Sequence, residues 1–189
     1  MIKQLKKLNL GCGYYPKEGF LNIDSNDKYP ADLVHDLEIF PWPLRSNFYE
    51  EITMDHLLEH LTDIRKTMAE VNRILAINGK LVIKVPHFSR GFSHWDHKHG
   101  FDITFPLYFN ENMSGGFNDL NLVHIKTRIT WFAQPDFKKQ NLSKTHYYLG
   151  VFGGKIFDFI GNINLFFTSK ILCFWVGGYD EIEFVFRKS

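Results

Sequence analysis

The sequence predicts an α/β fold in which helices flank a mostly parallel sheet. Short apolar runs alternate with loop or helical segments through the first half of the chain, as in parallel strands joined by crossovers. Residues 64–75 repeat apolar side chains at intervals of three and four, which predicts an amphipathic helix. Residues 181–187 alternate apolar and polar side chains and end the chain as a strand, so we expect a mixed sheet.

Seven strands are predicted, over residues 5–11, 20–23, 32–36, 49–54, 80–85, 120–132 and 181–187. The first crossover is short, because only residues 14–19 separate the glycine turn after strand one from strand two. A crossover between parallel strands normally takes about a dozen residues or more, usually with a helix. We therefore expect a loop here, shaped by Pro16 and Gly19.

The helix over residues 64–75 has predicted boundary signals at both ends. Thr62-Asp63 precedes it as a candidate N-cap, and Asn78-Gly79 follows it as a turn where the helix should stop.

Residues 87–118, the His-rich loop, carry four histidines and one predicted short helix near residues 105–110. Residues 145–176, the aromatic insertion, are expected to be partly helical. Since no linker divides the chain, residues 1–189 are predicted to form a single domain.

Composition narrows the possible partners and compartments. The chain has 189 residues, 44% of them hydrophobic and 23% charged, which suits a folded domain with a sizeable core. Its formal net charge of +1 gives no basic field, so we expect no nucleic-acid partner. Cys12 and Cys173 are too few and too far apart for a disulfide framework. With no signal peptide at the start, a cytoplasmic location is expected.

Aromatic residues are concentrated in the second half of the chain. The sequence holds 19 Phe, and Phe, Trp and Tyr crowd residues 131–176. This surplus is typical of an apolar pocket, a partner face, membrane contact or a Phe-rich core. Residues 156–177 contain charged and amide side chains, so a membrane-spanning helix is not expected. A peripheral membrane contact or an amphipathic partner remains an open interpretation.

A glycine pair ends the first predicted strand. Gly11 and Gly13 allow a sharp turn and close approach of the backbone to a ligand. The third glycine of the dinucleotide fingerprint is missing, because its position holds Pro16. The short crossover also leaves no helix N-terminus to face a pyrophosphate. A nucleoside cofactor without a phosphate bridge therefore fits better than a nicotinamide dinucleotide.

Two acids follow successive strands beside this turn. Asp24 at the end of strand two can accept hydrogen bonds from two ribose hydroxyls, and Asp36 can accept from an adenine amino group. Each could instead be a loop acid or a helix cap. Their positions beside Gly11 and Gly13 favour a shared nucleoside site, since ligands bind at the carboxyl ends of parallel strands.

Five stretches together resemble motifs of the class I S-adenosylmethionine-dependent methyltransferases. They are Leu8–Gly13, Asn22–Asp24, Asp36–Leu37, Asp55–Leu61 and Ile77–Ile83, in the family's order and spacing. The resemblance covers residues 5–87. It implies a Rossmann-like, mostly parallel seven-stranded sheet of order 3-2-1-4-5-7-6 with an antiparallel last strand, S-adenosylmethionine as cofactor, and methyl transfer.

The resemblance also implies a set of cofactor contacts. They are Leu10, Gly11, Cys12, Gly13, Asp24, Asp36, Leu37, Met54, Asp55 and His56. Cys12 is interpreted as a small residue beside the cofactor and not as a nucleophile. Because the chain starts almost at strand one, it lacks the N-terminal helix that often covers the cofactor in this family. We expect the His-rich loop and the aromatic insertion to close the site instead.

The His-rich loop supplies the catalytic candidates, which are His97, His94, Asp96 and His99, with His97 ranked first. A histidine there can act as a general base that takes a proton from the acceptor. The loop could otherwise bind a metal, hold structure or be solvated. No metal is predicted, since the cluster lacks the spacing of recognised zinc motifs. Glu59 is expected to bond backbone N–H groups near a helix start.

The sequence therefore predicts a methyltransferase that uses S-adenosylmethionine. The acceptor is expected to be a small molecule, sugar-like or amphipathic. A non-catalytic binding or scaffold protein that retains the fold is the alternative. A nicotinamide-dependent oxidoreductase is a further alternative, disfavoured by Pro16.

Overall fold

The sheet has seven strands in the order β3-β2-β1-β4-β5-β7-β6. The structure, a computed structural model, describes residues 5–91, 93–110 and 113–189. The strands are β1 Lys7–Leu10, β2 Leu21–Asp24, β3 Leu33–Val34, β4 Tyr49–Asp55, β5 Leu75–Pro86, β6 Leu122–Thr130 and β7 Glu181–Lys188. Neighbours among β1 to β5 are parallel, whereas β7 runs antiparallel to both β5 and β6. The predicted order and the antiparallel last strand are confirmed.

Helices cover the sheet between the strands. They are α1 Ile64–Ile74, α2 Phe88–Gly91, α3 Pro135–Asn141, α4 Lys144–Gly161, α5 Leu165–Phe167 and α6 Cys173–Trp175. Short 3₁₀ turns cover Leu58–His60 and Phe105–Phe109, and a π turn covers Thr168–Leu172. None of the helices in the described ranges combines the length and apolar character needed to cross a bilayer.

The predicted helix α1 is confirmed, with one correction at its end. Asp63 caps its first turn by accepting a hydrogen bond from Lys66 N at 2.9 Å. The helix stops at Ile74, and β5 begins at once with Leu75. Asn78 and Gly79 therefore do not end the helix. They lie in a stretch where β5 has extra residues relative to β4, and Asn78 adopts a φ of 62° there.

The short first crossover is a loop, as expected, and side chains of the sheet hold it in place. Asn22, Asn9 and Thr53 stand side by side on β2, β1 and β4, and we call them the polar row. Asn9 Nδ2 donates to Asn22 Oδ1 at 3.0 Å, and Thr53 Oγ1 donates to Asn9 Oδ1 at 3.0 Å. Asn22 also accepts from Lys17 N at 2.7 Å and donates to Phe20 O at 3.1 Å. Strand side chains thus satisfy backbone groups of the loop.

His87 fixes the start of the His-rich loop. It is fully buried, its Nδ1 lies 2.6 Å from Ser89 Oγ, and its Nε2 lies 2.9 Å from Ser169 Oγ in the aromatic insertion. Burial lowers the pKa of His87 from 6.5 to about 4, so the ring is neutral at pH 7. This histidine therefore ties the two segments together structurally.

The aromatic insertion packs against β6, the edge strand of the sheet. Asp158 Oδ1 accepts a hydrogen bond from Trp131 N at 2.6 Å, just beyond the end of β6. Asn162 accepts from Ile129 N at 3.0 Å and donates to Ile129 O at 2.8 Å. Asp158 and Asn162, which argue against a membrane-spanning helix here, therefore cover the open edge of the sheet at β6.

Candidate active site

A cavity of about 670 Å³ opens at the carboxyl edge of the parallel strands. One wall comes from the ends of β1 and β4, and the other from the end of β6 and the start of α3. Its lining residues are Asn9, Gly11–Tyr15, Lys17, Asp55, His56, Lys84, Thr130, Phe132–Phe137 and Glu181. We call this space the donor cavity, after the methyl donor S-adenosylmethionine that the sequence predicts. Its position is the one expected for ligands of parallel α/β sheets.

The glycine turn shapes the floor of the donor cavity. Gly11 and Gly13 have φ values of 66° and 49°, which L side chains rarely adopt. A Cβ at Gly11 would lie 2.8 Å from Leu57 Cδ1, so a side chain there would force Leu57 to shift. A Cβ at Gly13 would meet nothing within 4 Å. The space in front of Gly13 is therefore open to a ligand.

Asp24 lies behind the glycine turn. Its Oδ2 accepts a hydrogen bond from Gly13 N at 2.9 Å, and its Oδ1 accepts from Asn26 N at 3.1 Å. A carboxylate has about four acceptor positions, so each oxygen keeps one for a ligand. Asp24 therefore contacts Gly13, which lines the cavity, but does not line the cavity itself.

Four other predicted contacts lie outside the cavity lining. Asp36 is exposed, and its Oδ1 accepts from Glu38 N at 2.9 Å. Leu37 is buried, and its carbonyl oxygen accepts from Trp42 Nε1 at 3.1 Å. Leu10 and Met54 are fully buried core residues. The structure therefore brings Gly11, Cys12, Gly13, Asp55 and His56 to the donor cavity and leaves these four behind or beside it.

Cys12 is buried beneath the turn, and its backbone N donates to Ile23 O at 3.0 Å. Burial, together with the nearby Asp24 carboxylate, raises the pKa of the Cys12 thiol from 9.0. The sulfur is therefore a thiol at neutral pH, which supports the interpretation that Cys12 is not a nucleophile.

Lys17 is a cavity residue that the sequence did not single out. Its Nζ donates to Asp55 Oδ2 at 2.8 Å and to Thr53 Oγ1 at 3.0 Å. Asp55 Oδ1 is buried and has no hydrogen-bond partner among the described residues. The pair thus places an ammonium group and a carboxylate in the wall of the donor cavity, with Oδ1 buried. Without the fold, nothing distinguishes Lys17 from other lysines.

His56 lies between the donor cavity and a second, adjoining cavity. Its Nε2 lies 2.9 Å from Glu181 Oε2, and its Nδ1 lies 3.4 Å from Glu59 Oε1. Burial lowers the pKa of His56, but the two glutamates outweigh burial and raise it from 6.5 to about 9. His56 is therefore an imidazolium at pH 7. Glu181, the first residue of β7, was missed because it lies far from the matched motifs.

A second cavity, of about 620 Å³, adjoins the first. The two share His56, Ala133, Gln134 and Phe137. The second cavity is also lined by Glu59, His60, Pro86, Arg90, Gly91, Ser93, His94, His97, Lys138 and Asp180. We call it the acceptor cavity, because a molecule in it would lie beside the contents of the donor cavity.

Three of the four catalytic candidates meet in the acceptor cavity or at its rim. His94 Nδ1 contacts Asp96 Oδ1, and Asp96 Oδ2 lies 3.1 Å from His60 Nδ1. The rings of His94 and His97 stack at 4.8 Å between centroids. His99 is not brought to them, because its Nε2 lies 3.3 Å from Thr62 O and its side chain borders a different cavity.

Two further expectations are corrected. Glu59 does not bond backbone N–H groups near a helix start, because its side chain is buried and accepts no hydrogen bond from any described residue. The aromatic insertion does not line the donor cavity, since Thr130 and Phe132–Phe137 form the facing wall. The insertion is occupied with covering β6. The His-rich loop lines the acceptor cavity instead.

No protein-family model matches this sequence, and no curated protein matches it. Solved structures match over nearly the whole chain. An S-adenosylmethionine-dependent methyltransferase from Mesorhizobium loti is 10% identical, with a TM-score of 0.59 over 99% of this chain and 92% of that one. Another from Archaeoglobus fulgidus is 14% identical, with a TM-score of 0.58 over 96% and 85%. The [4+2]-cyclase SpnF is 11% identical, with a TM-score of 0.57 over 96% and 74%. At these identities the likeness shows the fold.

Proposed function

We propose that this protein binds S-adenosylmethionine and transfers its methyl group to an acceptor. The chain has the fold of the class I S-adenosylmethionine-dependent methyltransferases. The observation that carries the proposal is a pair of adjoining cavities at the carboxyl edge of the sheet. One presents an open glycine turn, and the other presents a histidine cluster. Donor and acceptor could therefore be held side by side.

The residues of the donor cavity suit this cofactor. The open space at Gly13 permits close approach of a nucleoside, and Asp24 behind it keeps acceptor capacity for ribose hydroxyls. Asp55 and Lys17 both line the cavity, and the Lys17 ammonium group can donate to a carboxylate. Asp36 and Leu37 are proposed to border the adenine, and Leu10, Cys12 and Met54 to contribute backbone. When bound, the cofactor supplies an electrophilic methyl group on a sulfonium.

The acceptor cavity offers a group that can take a proton. Asp96 holds Nδ1 of His94, which leaves the Nε2 lone pair free. The His94 side chain is 57% exposed, so the proton can pass to solvent. The sequence ranks His97 first, but the His97 side chain is only 9% exposed and its Nε2 faces Glu59. The geometry therefore favours His94 as the base, with Asp96 as its positioning residue.

The chemistry of the acceptor cavity favours a small hydroxylated or sugar-like acceptor. Arg90 donates to Asp180 Oδ1 at 2.9 Å, and Lys138 contacts Asp180 Oδ2, so these charges are already paired. Imidazole and carboxylate groups remain to hydrogen-bond a polar molecule.

The free, buried cysteines Cys12 and Cys173 suit the reducing cytoplasm that the sequence favours.

Alanine substitutions at two glycines test the donor cavity. Gly13 and Gly19 both have positive φ, and a Cβ at either would meet nothing within 4 Å. Each substitution should cost about 1 kcal/mol of folding free energy, because L residues resist this conformation. Only Gly13→Ala should weaken S-adenosylmethionine binding, by about 10-fold, since its methyl group enters the cavity.

Calorimetric titration of the wild type and both variants, with thermal unfolding, measures these effects. We expect the wild type to bind one S-adenosylmethionine per chain. Absence of binding at millimolar ligand would refute the donor proposal. Binding without transfer to any of a panel of hydroxylated compounds would favour the non-catalytic alternative. An absorbance change with a nicotinamide cofactor would favour the oxidoreductase.

We also propose that the aromatic insertion presents an apolar face to a lipid surface that carries an amphipathic acceptor. Its helices and the turn between α4 and α5 leave large apolar side chains exposed, namely Tyr148, Phe152, Phe159, Ile163, Phe166, Phe174 and Trp175. Aromatic residues of this kind are favoured at membrane interfaces. Tyr148, Phe152 and Phe159 recur at intervals of four and seven along α4, so they share one face of that helix, and exposed apolar faces are typical of interaction sites.

Sedimentation with phospholipid vesicles tests this face. Replacing Phe159 and Ile163 with serine together should weaken vesicle binding about 100-fold, because each apolar side chain contributes about 1.5 kcal/mol when buried. Ile39→Ser is the matched control, since Ile39 is 60% exposed and lies outside the insertion. Equal sedimentation of all three proteins would contradict the membrane assignment.

A further inference from the structure

We infer that Glu59, His60 and His97 bind a divalent transition-metal ion at the floor of the acceptor cavity. One ligand atom from each side chain lies within 4.8 Å of the other two. Glu59 and His60 come from the 3₁₀ turn after β4, whereas His97 comes from the His-rich loop. The loop is pinned there by its backbone, because Lys98 N donates to Glu59 O at 2.8 Å.

The carboxylate of Glu59 is the first indication of a ligand. Its side chain is 1% exposed, and neither oxygen has a hydrogen-bond partner among the described residues. His60 Nε2 and His97 Nε2 lie 3.9 and 4.0 Å from Oε1, beyond hydrogen-bond distance. The nearest cation is the His56 imidazolium, whose Nδ1 lies 3.4 Å from Oε1 at an ion-pair distance. Buried carboxylates in native proteins are paired with a cation or coordinate a metal, and Glu59 lies where it can do both.

The two histidines are oriented as metal ligands usually are. His97 Nδ1 lies 2.6 Å from Gly91 O, which can only accept, so the Nδ1 proton is held there and the Nε2 lone pair is free. His60 Nδ1 lies 3.1 Å from Asp96 Oδ2, which likewise leaves its Nε2 lone pair free. Both free nitrogens face Glu59. A carboxylate or a backbone carbonyl behind the imidazole is the typical outer support of a metal-binding histidine.

The ligand types narrow the choice of ion. Imidazole and carboxylate together suit Zn²⁺ and related transition metals, whereas Mg²⁺ and Ca²⁺ prefer oxygen ligands. Bonds of about 2.0–2.1 Å in a tetrahedral site place ligand atoms about 3.3 Å apart. The nitrogens would therefore move by less than 1 Å relative to Oε1, which small side-chain rotations provide.

Three protein ligands leave at least one coordination position open, as in catalytic metal sites. Glu59, His60 and His97 all line the acceptor cavity, so that position is available to water or to an acceptor. If the proposed methyl transfer holds, an acceptor hydroxyl bound to the ion would become more acidic beside His94. The binding of the ion itself does not depend on that function.

Calorimetric titration of the metal-stripped full chain with zinc chloride tests the site. We expect one zinc ion per chain, and a zinc-dependent rise in the thermal unfolding midpoint. Glu59→Gln and His97→Ala should each weaken zinc binding about 100-fold, and Asp96→Asn about 10-fold through the orientation of His60. His99→Ala is the control from the same loop, and its zinc affinity should equal that of the wild type.

Glu59→Gln keeps the shape of the side chain, so we expect this variant to fold. Its thermal unfolding midpoint without zinc checks this. Failure of the wild type to bind zinc at unit stoichiometry would overturn the inference. Zinc affinity unchanged in both Glu59→Gln and His97→Ala would do the same. S-adenosylmethionine titrations of the same samples separate the two proposals. Zinc binding without cofactor binding refutes only the methyltransferase, and the reverse result refutes only the metal site.

Discussion

Replacing Asp24 with alanine should weaken S-adenosylmethionine binding about 100-fold, the loss expected for two hydrogen bonds to a charged carboxylate. The proposed ribose contact would disappear, and Gly13 N would lose its acceptor at 2.9 Å. Both changes act on the donor cavity. Calorimetric titration measures the dissociation constant, and thermal unfolding shows that the variant is folded.

Two further variants show whether the effect belongs to the carboxylate. Asp24→Asn retains an oxygen that can accept from Gly13 N but lacks the charge, so its affinity should lie between those of the wild type and Asp24→Ala. Asp27→Ala removes an exposed acid from the same loop and should bind normally. Unchanged affinity in Asp24→Ala would remove Asp24 from the site.

Replacing His94 with glutamine should lower kcat about 100-fold or more, because a general base typically contributes at least this much. The assay follows labelled methyl groups from S-adenosylmethionine into an acceptor identified from hydroxylated small molecules. The dissociation constant for S-adenosylmethionine should not change, since His94 lies in the acceptor cavity and does not line the donor cavity.

Comparison with other histidines identifies the base. His146→Gln changes an exposed histidine that bonds to Ser143 near the start of α4, and should retain full activity. If His94→Gln keeps its kcat while His97→Gln loses it with zinc binding intact, His97 is the base. A loss of activity in His97→Gln together with loss of zinc binding would instead support its role as a metal ligand.

The sequence predicts those parts of the site that depend on local pattern. Gly11, Gly13 and Asp55 follow predicted strands, and parallel strands bring their carboxyl ends to one edge. Lys17 and Glu181 could not be predicted in the same way. Lys17 reaches Asp55 across 38 positions, and Glu181 reaches His56 across 125. Hydrophobic periodicity describes one segment at a time and does not report contacts between distant segments.

The aromatic insertion shows a second limit. Its composition predicts a surface-active or partly helical segment, and α4 confirms the helical part. Composition does not say which sheet edge needs cover. In the sequence, Asp158 and Asn162 only interrupt an apolar stretch, whereas in the structure they bond the backbone at Trp131 and Ile129. Their role follows from the antiparallel β7–β6 pair, which leaves β6 at the edge.

The polar row has a consequence for chain entropy. Asn9 and Asn22 meet across a separation of 13 residues, whereas His56 and Glu181 meet across 125. Loop-closure entropy grows with the logarithm of loop length, so the longer contact costs about 2 kcal/mol more to close. The glycine turn and Asp24 are therefore fixed by contacts that the chain closes cheaply. The boundary between the two cavities depends instead on a contact between β7 and the residue that follows β4.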